Sequence, residues 1–194
     1  MLMYEQFLKA STESYETFYE TFRIDAPEDF NYGFDVLDAL AAKKPHSLAL
    51  LYTNPAGEEK RFTFEDINRF SNQAANYFKS LGIQKGDRVL LIMKRNYQFW
   101  FASMGLCKLG AVSIPATIQL CAKDIAYRCN AASAKMIVTA NDPDTIHAVE
   151  TAMESSPTVM HTALVGPTRK GWLDFDAGLA AQSDEFLRPE GEER

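Results

Sequence analysis

Three cysteines and three histidines are the first places to look for chemistry in this chain of 194 residues. Cys107, Cys121 and Cys129 form no CxxC, and no histidine stands at a metal-ligand spacing from any of them. The odd count reads as reduced thiols rather than a disulfide framework or a zinc site. Cys107 lies in an apolar run and is expected to be a small core residue, because a nucleophilic thiol needs a paired base and none is visible. His46, His147 and His161 are scattered and receive no role. Phosphate chemistry would need backbone N–H groups that glycine lets a ligand approach, ideally at a helix N-terminus. The ten glycines, at 33, 57, 82, 86, 105, 110, 166, 171, 178 and 191, make no GxGxxG after a strand. Nor do they make the GxxxxGK of a P-loop, so neither a free-standing dinucleotide site nor a P-loop is expected. Lys94 and Arg95 follow a core strand and could face an anion, but two charges that merely solvate a strand end are the favoured reading.

The elements that must position these residues follow from composition and periodicity. A chain that is 46% hydrophobic and 12% aromatic can bury a substantial core. Its formal net charge of -6 lacks the basic excess of a dedicated nucleic-acid or anionic-membrane binder. No apolar stretch is long and charge-free enough to cross a membrane. Met3, Phe7, Tyr15, Phe18, Tyr19 and Phe22 recur at helical spacing, predicting an amphipathic arm of one or two helices over 1–30. Glu5, Glu13, Glu16 and Glu20 make that arm acidic, unlike a signal peptide or a mitochondrial leader, so a cytoplasmic protein is expected.

From residue 31 onward the pattern is strand and helix in alternation. A short helix over 34–44 carries Phe34, Val36, Leu37 and Leu40 inward. Strands at 48–53 and 60–63 form a hairpin around the turn at 54–57. Thr63 and Asp66 read as a short-armed capping box for a helix whose buried stripe is Ile67, Phe70, Ala74, Phe78 and Leu81. Short apolar strands at 88–93, 111–114, 135–139 and 162–165 alternate with helices at 97–109, 122–132 and 143–153. That order predicts right-handed crossovers and a doubly wound, mostly parallel α/β sheet over 31–165. Beyond 165 the pattern thins to one short helix over 172–179 and a charged tail, so 166–194 is expected to be a connector.

Three stretches, in order, carry a family resemblance. They are Phe62-Thr63-Phe64-Glu65-Asp66, then Ser80-Leu81-Gly82-Ile83 with Lys85-Gly86-Asp87-Arg88-Val89, then Lys108-Leu109-Gly110-Ala111-Val112 with Ile114-Pro115. They resemble the N-terminal part of the adenylate-forming enzymes. The continuation Pro115-Ala116-Thr117-Ile118-Gln119-Leu120, with Lys123-Asp124-Ile125-Ala126-Tyr127-Arg128, Ala134-Lys135-Met136-Ile137-Val138 and Gly171-Trp172-Leu173-Asp174-Phe175, is similar to the medium-chain branch of the AMP-forming acyl-CoA synthetases. The likeness runs from about Phe30 to Phe175.

The resemblance implies the N-terminal subdomain of that fold and a two-step ligase reaction. A carboxylate attacks the α-phosphorus of Mg-ATP to give an acyl-adenylate and pyrophosphate, and the thiol of CoA then displaces AMP. The Gly-rich ATP loop, the adenine and ribose motifs and the mobile C-terminal lysine of that family do not occur in these residues. The resemblance therefore implies an N-terminal fragment, inactive alone, whose partner is the remainder of the synthetase or a second copy of itself. No catalytic residue and no metal ligand is assigned. By the same resemblance Gln119, with Thr117 nearby, is the candidate contact for CoA; the residues by themselves fit a solvated loop equally. The contrasting expectation is a self-sufficient, non-catalytic module that binds CoA, an acyl group or a protein.

Overall fold

The computed structural model describes residues 7–167 and 169–190, and its contacts separate a unit ending at Asn31 from a larger one beginning at Tyr32. Over its described residues the first unit is not the continuous helix or helix pair that its aromatic spacing predicts. β1 (Leu8–Lys9) pairs antiparallel with β2 (Arg23–Ile24), and α1 (Tyr15–Thr21) forms the connection between them. Ser14 is the reason: its hydroxyl accepts the Thr17 N–H at 3.1 Å and starts the helix there, leaving the preceding residues extended. The aromatic stripe pairs with itself along α1. Tyr15 meets Tyr19 and Phe18 meets Phe22 at the i,i+4 spacing, with ring centroids 6.2 and 5.3 Å apart. Met3 of the same expected stripe and Glu5 of the arm's acidic set lie outside the described residues.

The larger unit opens with Gly33–Asp38 wound as a π-helix that runs into α2 (Ala39–Lys43), so the helix expected over 34–44 is present with a wider first half. β3 (Leu48–Thr53) and β4 (Glu59–Thr63) form the predicted hairpin. Its turn is tied by the Asn54 side-chain oxygen, which accepts the N–H groups of Ala56 and Glu58, each at 3.0 Å. α3 (Phe64–Ser80) begins with the predicted reciprocal cap, in which the Asp66 N–H reaches the Thr63 hydroxyl at 3.2 Å and the Thr63 N–H reaches the Asp66 carboxylate at 2.9 Å.

Then β5 (Arg88–Ile92), α4 (Gln98–Leu109), β6 (Val112–Ala116), α5 (Ala122–Ala132), β7 (Met136–Ala140), α6 (Pro143–Met153) and β8 (His161–Val165) follow one another as the alternation predicts. The stretch expected to be a helix from 172 instead supplies a parallel edge strand, β9 (Leu173–Asp174), before α7 (Phe175–Ala180). Asp174 decides the boundary by accepting the Ala177 N–H at 2.8 Å. The five parallel strands stand in the order β6-β5-β7-β8-β9.

Strand pleating sorts the core into two layers. Val89, Leu91 and Met93 of β5 and its C-terminal extension point to one face, covered by α3, α4 and α7 through Phe78, Phe101, Leu106 and Phe175. Leu90 and Ile92 point to the other, covered by α5 and α6 through Ile125, Cys129 and Val149. The core cysteine is therefore Cys129; Cys107, expected inside, is half-buried, because its neighbours Leu106 and Lys108 take the inward positions of α4. α3 and α4 approach so closely at Gly105 that a Cβ there would stand 2.6 Å from the Ala74 Cβ.

Candidate functional site

The sheet changes winding direction beside β5. From β5 the chain crosses to β6 on one side, and from β7 it crosses to β8 on the other, so the carboxyl ends of β5 and β7 diverge into a crevice. Such a switch point is where open α/β sheets receive ligands. Ile92 pairs with Ala116 and with Thr139, which brings Lys94, Ile118 and Asn141 out at one level of the rim. The buried Thr139 hydroxyl donates to the Ile92 carbonyl at 3.0 Å and closes the base of the crevice.

Thr117 and Gln119, the two candidate CoA contacts, come together in the loop that leaves β6. The Gln119 N–H donates to the Thr117 hydroxyl at 3.3 Å, and the Leu120 N–H to the Thr117 carbonyl at 3.4 Å. Both side chains are exposed. The loop rests on the start of α6, where the Thr145 hydroxyl lies 2.7 Å from the Asp142 carboxylate and 3.5 Å from the Ile118 carbonyl. Asp142 is held below the usual carboxylate range, first by that hydroxyl, then by the Thr145 N–H, with a further contribution from the charge of Lys94. Lys94 and Arg95 are exposed at the rim, as a solvated strand end or an anion contact both require.

This rim can donate and accept hydrogen bonds through an amide and a hydroxyl and can offer positive charge. That donor set fits the amides and phosphates of a CoA-like ligand. Among the described residues there is no group of three or more His, Cys, Asp or Glu side chains placed to hold a metal ion. His46 sits 3.4 Å from Glu65 and His161 3.0 Å from the Leu81 carbonyl, far apart in the chain and without a nucleophile between them.

A second feature was not legible in the residue pattern. A cavity of about 380 Å³ opens on the α3/α4 face, walled by Phe62, Phe70, Tyr97 and Phe101 with Lys60 and Arg69 at its mouth. Lys60 donates to the Tyr97 hydroxyl at 3.0 Å, and this bond, with Glu58, holds the ammonium above its ordinary pKa. Asp176, at the same cavity, accepts from the Gln98 side chain at 3.0 Å and from the Gly166 N–H at 2.9 Å, so it ties α7 to α4 and to the end of β8. Of its walls, the sequence pattern singles out Phe70 alone, as part of the buried stripe of α3. Thr117 and Gln119 do not line this cavity, nor the grooves beside Ile83 and beside Leu50.

Known proteins carry the same architecture. The profile of the AMP-binding enzyme family matches residues 37–192. Acyl-coenzyme A synthetase ACSM4, mitochondrial, of Rattus norvegicus is 36% identical over 166 residues, covering 82% of this chain and 28% of that protein. Acyl-coenzyme A synthetase ACSM3, mitochondrial, of Homo sapiens is 35% identical over 179 residues, covering 88% of this chain and 30% of that protein. The crystal structure of the anthranilate CoA ligase AuaEII in complex with anthranoyl-AMP superposes with a TM-score of 0.76 over 85% of this chain and 30% of that one, at 22% identity. The chain thus spans under a third of the length of the curated relatives it matches. With a family profile covering most of its length and the doubly wound sheet in place, the chain belongs to the AMP-binding enzyme family.

Proposed function

We propose that this chain is the N-terminal α/β portion of a medium-chain, AMP-forming acyl-CoA synthetase. Its part in the reaction is to form one wall of the CoA channel through the rim around Thr117 and Gln119. The observation that carries the reading is the 36% identity to a named acyl-coenzyme A synthetase over 82% of the chain. In this role the Gln119 amide and the Thr117 hydroxyl orient the thiol donor, and Lys94 and Arg95 attract its phosphates. Adenylation needs positive charge and backbone donors on the transferring phosphate, and the 194 residues contain no Gly-rich loop to supply them. By themselves they bind neither ATP nor Mg tightly and activate no acid.

The partner in this reading is the remainder of the synthetase. An apolar groove of about 200 Å³ between Leu50, Phe64, Ile67 and Met104 is flanked by Tyr32 and Trp100, which are 51% and 48% exposed. A face of that kind favours a protein neighbour, and self-association is the expected behaviour where the remainder is absent. A cytoplasmic place fits the reduced thiols, while the named relatives above are mitochondrial by name; fractionation with a tagged chain decides.

The test is carboxylate-dependent exchange of pyrophosphate into ATP by the pure chain with Mg and acids from acetate to decanoate, alongside its sizing profile. No exchange, with self-association, is the expected result. Acid-dependent exchange would overturn the reading. A monodisperse chain that binds CoA, with binding lost in Gln119→Ala, would favour a self-sufficient CoA-binding module.

A further inference from the structure

Lys108 is a charged side chain with no solvent exposure, and no step proposed above uses it. Its ammonium lies 2.7 Å from Asp38 Oδ1 and 2.6 Å from Asn72 Oδ1. Asn68 donates to the same Asp38 oxygen at 2.6 Å, and Asn72 Nδ2 donates back to Asn68 Oδ1 at 3.1 Å. The four side chains thus close a ring, Lys108 to Asp38 to Asn68 to Asn72, drawn from α4, from the end of the π-helical turn and from α3.

The ring removes a freedom that asparagine normally has. Because Lys108 can only donate, Asn72 must turn its oxygen inward, and both of its N–H bonds must point the other way. One goes to Asn68. The other has a single place to go, the Asp184 carbonyl at 2.8 Å. Further along the same helix face, Gln73 reaches the Gln182 carbonyl at 3.3 Å, and Asn76 reaches the carbonyls of Ser183 and Glu185, each at 2.9 Å. The extended segment beyond α7 is thus laid along α3 by a row of amides. It ends where Phe186 stacks on Phe34, centroids 6.3 Å apart, and Arg188 forks onto Asp35 at 2.7 and 3.1 Å.

We infer that Lys108 is a positioning residue that acts through Asn72 to fix the course of 182–188 along α3. Without its donor the Asn72 amide is free to turn its oxygen toward the Asp184 carbonyl, which repels it. The inference stands on this geometry whether or not the chain serves a synthetase. Within that reading, the segment aligned by Lys108 is the one that leads toward the Gly-rich ATP loop, so the buried lysine sets the direction of approach.

Limited proteolysis of the full chain by chymotrypsin after Phe186 reads the effect, because Leu187 is 87% exposed and cleavage there requires the segment to lift from α3. Cleavage of a transiently opened segment follows the population of its open form. Losing the Asn72 contact, worth one buried hydrogen bond, should speed cleavage about tenfold in Lys108→Met and in Asn72→Ala. The double variant should cut no faster than Lys108→Met alone, because the lysine acts through the asparagine. Val149→Ala, on the other face of the sheet, serves as the control for general destabilisation, compared at equal fraction unfolded. Should Lys108→Met not fold, Asn72→Ala and Asn76→Ala carry the test. The inference is overturned if cleavage after Phe186 is unchanged in the Asn variants, if the two effects multiply, or if Val149→Ala accelerates cleavage as much.

Discussion

Phe70 of α3 and Phe101 of α4 stack nearly face to face, with ring centroids 4.4 Å apart and planes inclined by 19°. Phe62 of β4 meets both rings edge-on, at 6.1 and 5.4 Å, so three aromatic side chains hold the hairpin, α3 and α4 together. Phe101 is 3% exposed and truncating it leaves a cavity that the hairpin cannot fill. Phe101→Ala should therefore cost about 3–5 kcal/mol in urea unfolding. A loss under about 1 kcal/mol would mean that the layer relaxes around the gap and that the stack is not what joins these elements.

Gly105 answers a different question, how closely the two helices pass. A Cβ there would stand 2.6 Å from the Ala74 Cβ and 2.8 Å from the Ala75 nitrogen. Gly105→Ala should destabilise by about 1–3 kcal/mol through overpacking. Adding Ala74→Gly should restore only part, since the clash with the Ala75 backbone remains. Full rescue in thermal unfolding would show that the side chain alone sets the spacing.

The cap of α3 carries a pH dependence whose sign is fixed. Partial burial raises the Asp66 pKa, but the N–H and hydroxyl of Thr63 and the nearby Arg69 outweigh it, and the carboxyl ends below its usual range. A depressed carboxyl stabilises fully above its unfolded pKa and loses that contribution as pH falls through the folded value. Asp66→Asn should cost about 1 kcal/mol at neutral pH, and the gap to the wild type should shrink below about pH 4. Equal gaps at pH 7 and pH 3 would rule out the ionised cap.

Thiol reactivity separates the three cysteines. Cys121 is exposed, Cys107 is half-buried and Cys129 is buried. Burial pushes the Cys129 thiol up, only partly offset by its contact with Ser156. An aromatic disulfide reagent should modify Cys121 first and Cys129 only on unfolding. Early modification of Cys129 in the native chain would contradict the packing of α5 against the sheet.

Much of this fold is legible in the residues because the causes are local. Short continuous apolar runs such as 88–92 make strands covered on both faces. Thr63 with Asp66 starts α3, Asp142 with Pro143 starts α6, and Gly110 at φ 75° ends α4. The family motifs are legible for the same reason, since each is a run of neighbouring residues at a turn or cap. Where local reading failed, a contact competed with periodicity. Ser14 and the β1–β2 pairing cut the expected arm helix short, and Asp174 with the edge of β8 turned the start of the last helix into a strand.

What only the tertiary structure decided lies between residues distant in the chain. The rim that brings Thr117 and Gln119 near Asp142 comes from strand register, which no local pattern states. The aromatic cavity draws its walls from β4, α3, α4 and α7, and the ring around Lys108 joins side chains 30 and 36 positions apart. A lysine in the motif Lys108-Leu109-Gly110 looks like a solvated helix end in sequence. It is buried because α3 and the π-helical turn close over it, and a charge taken out of water must find partners wherever the fold supplies them.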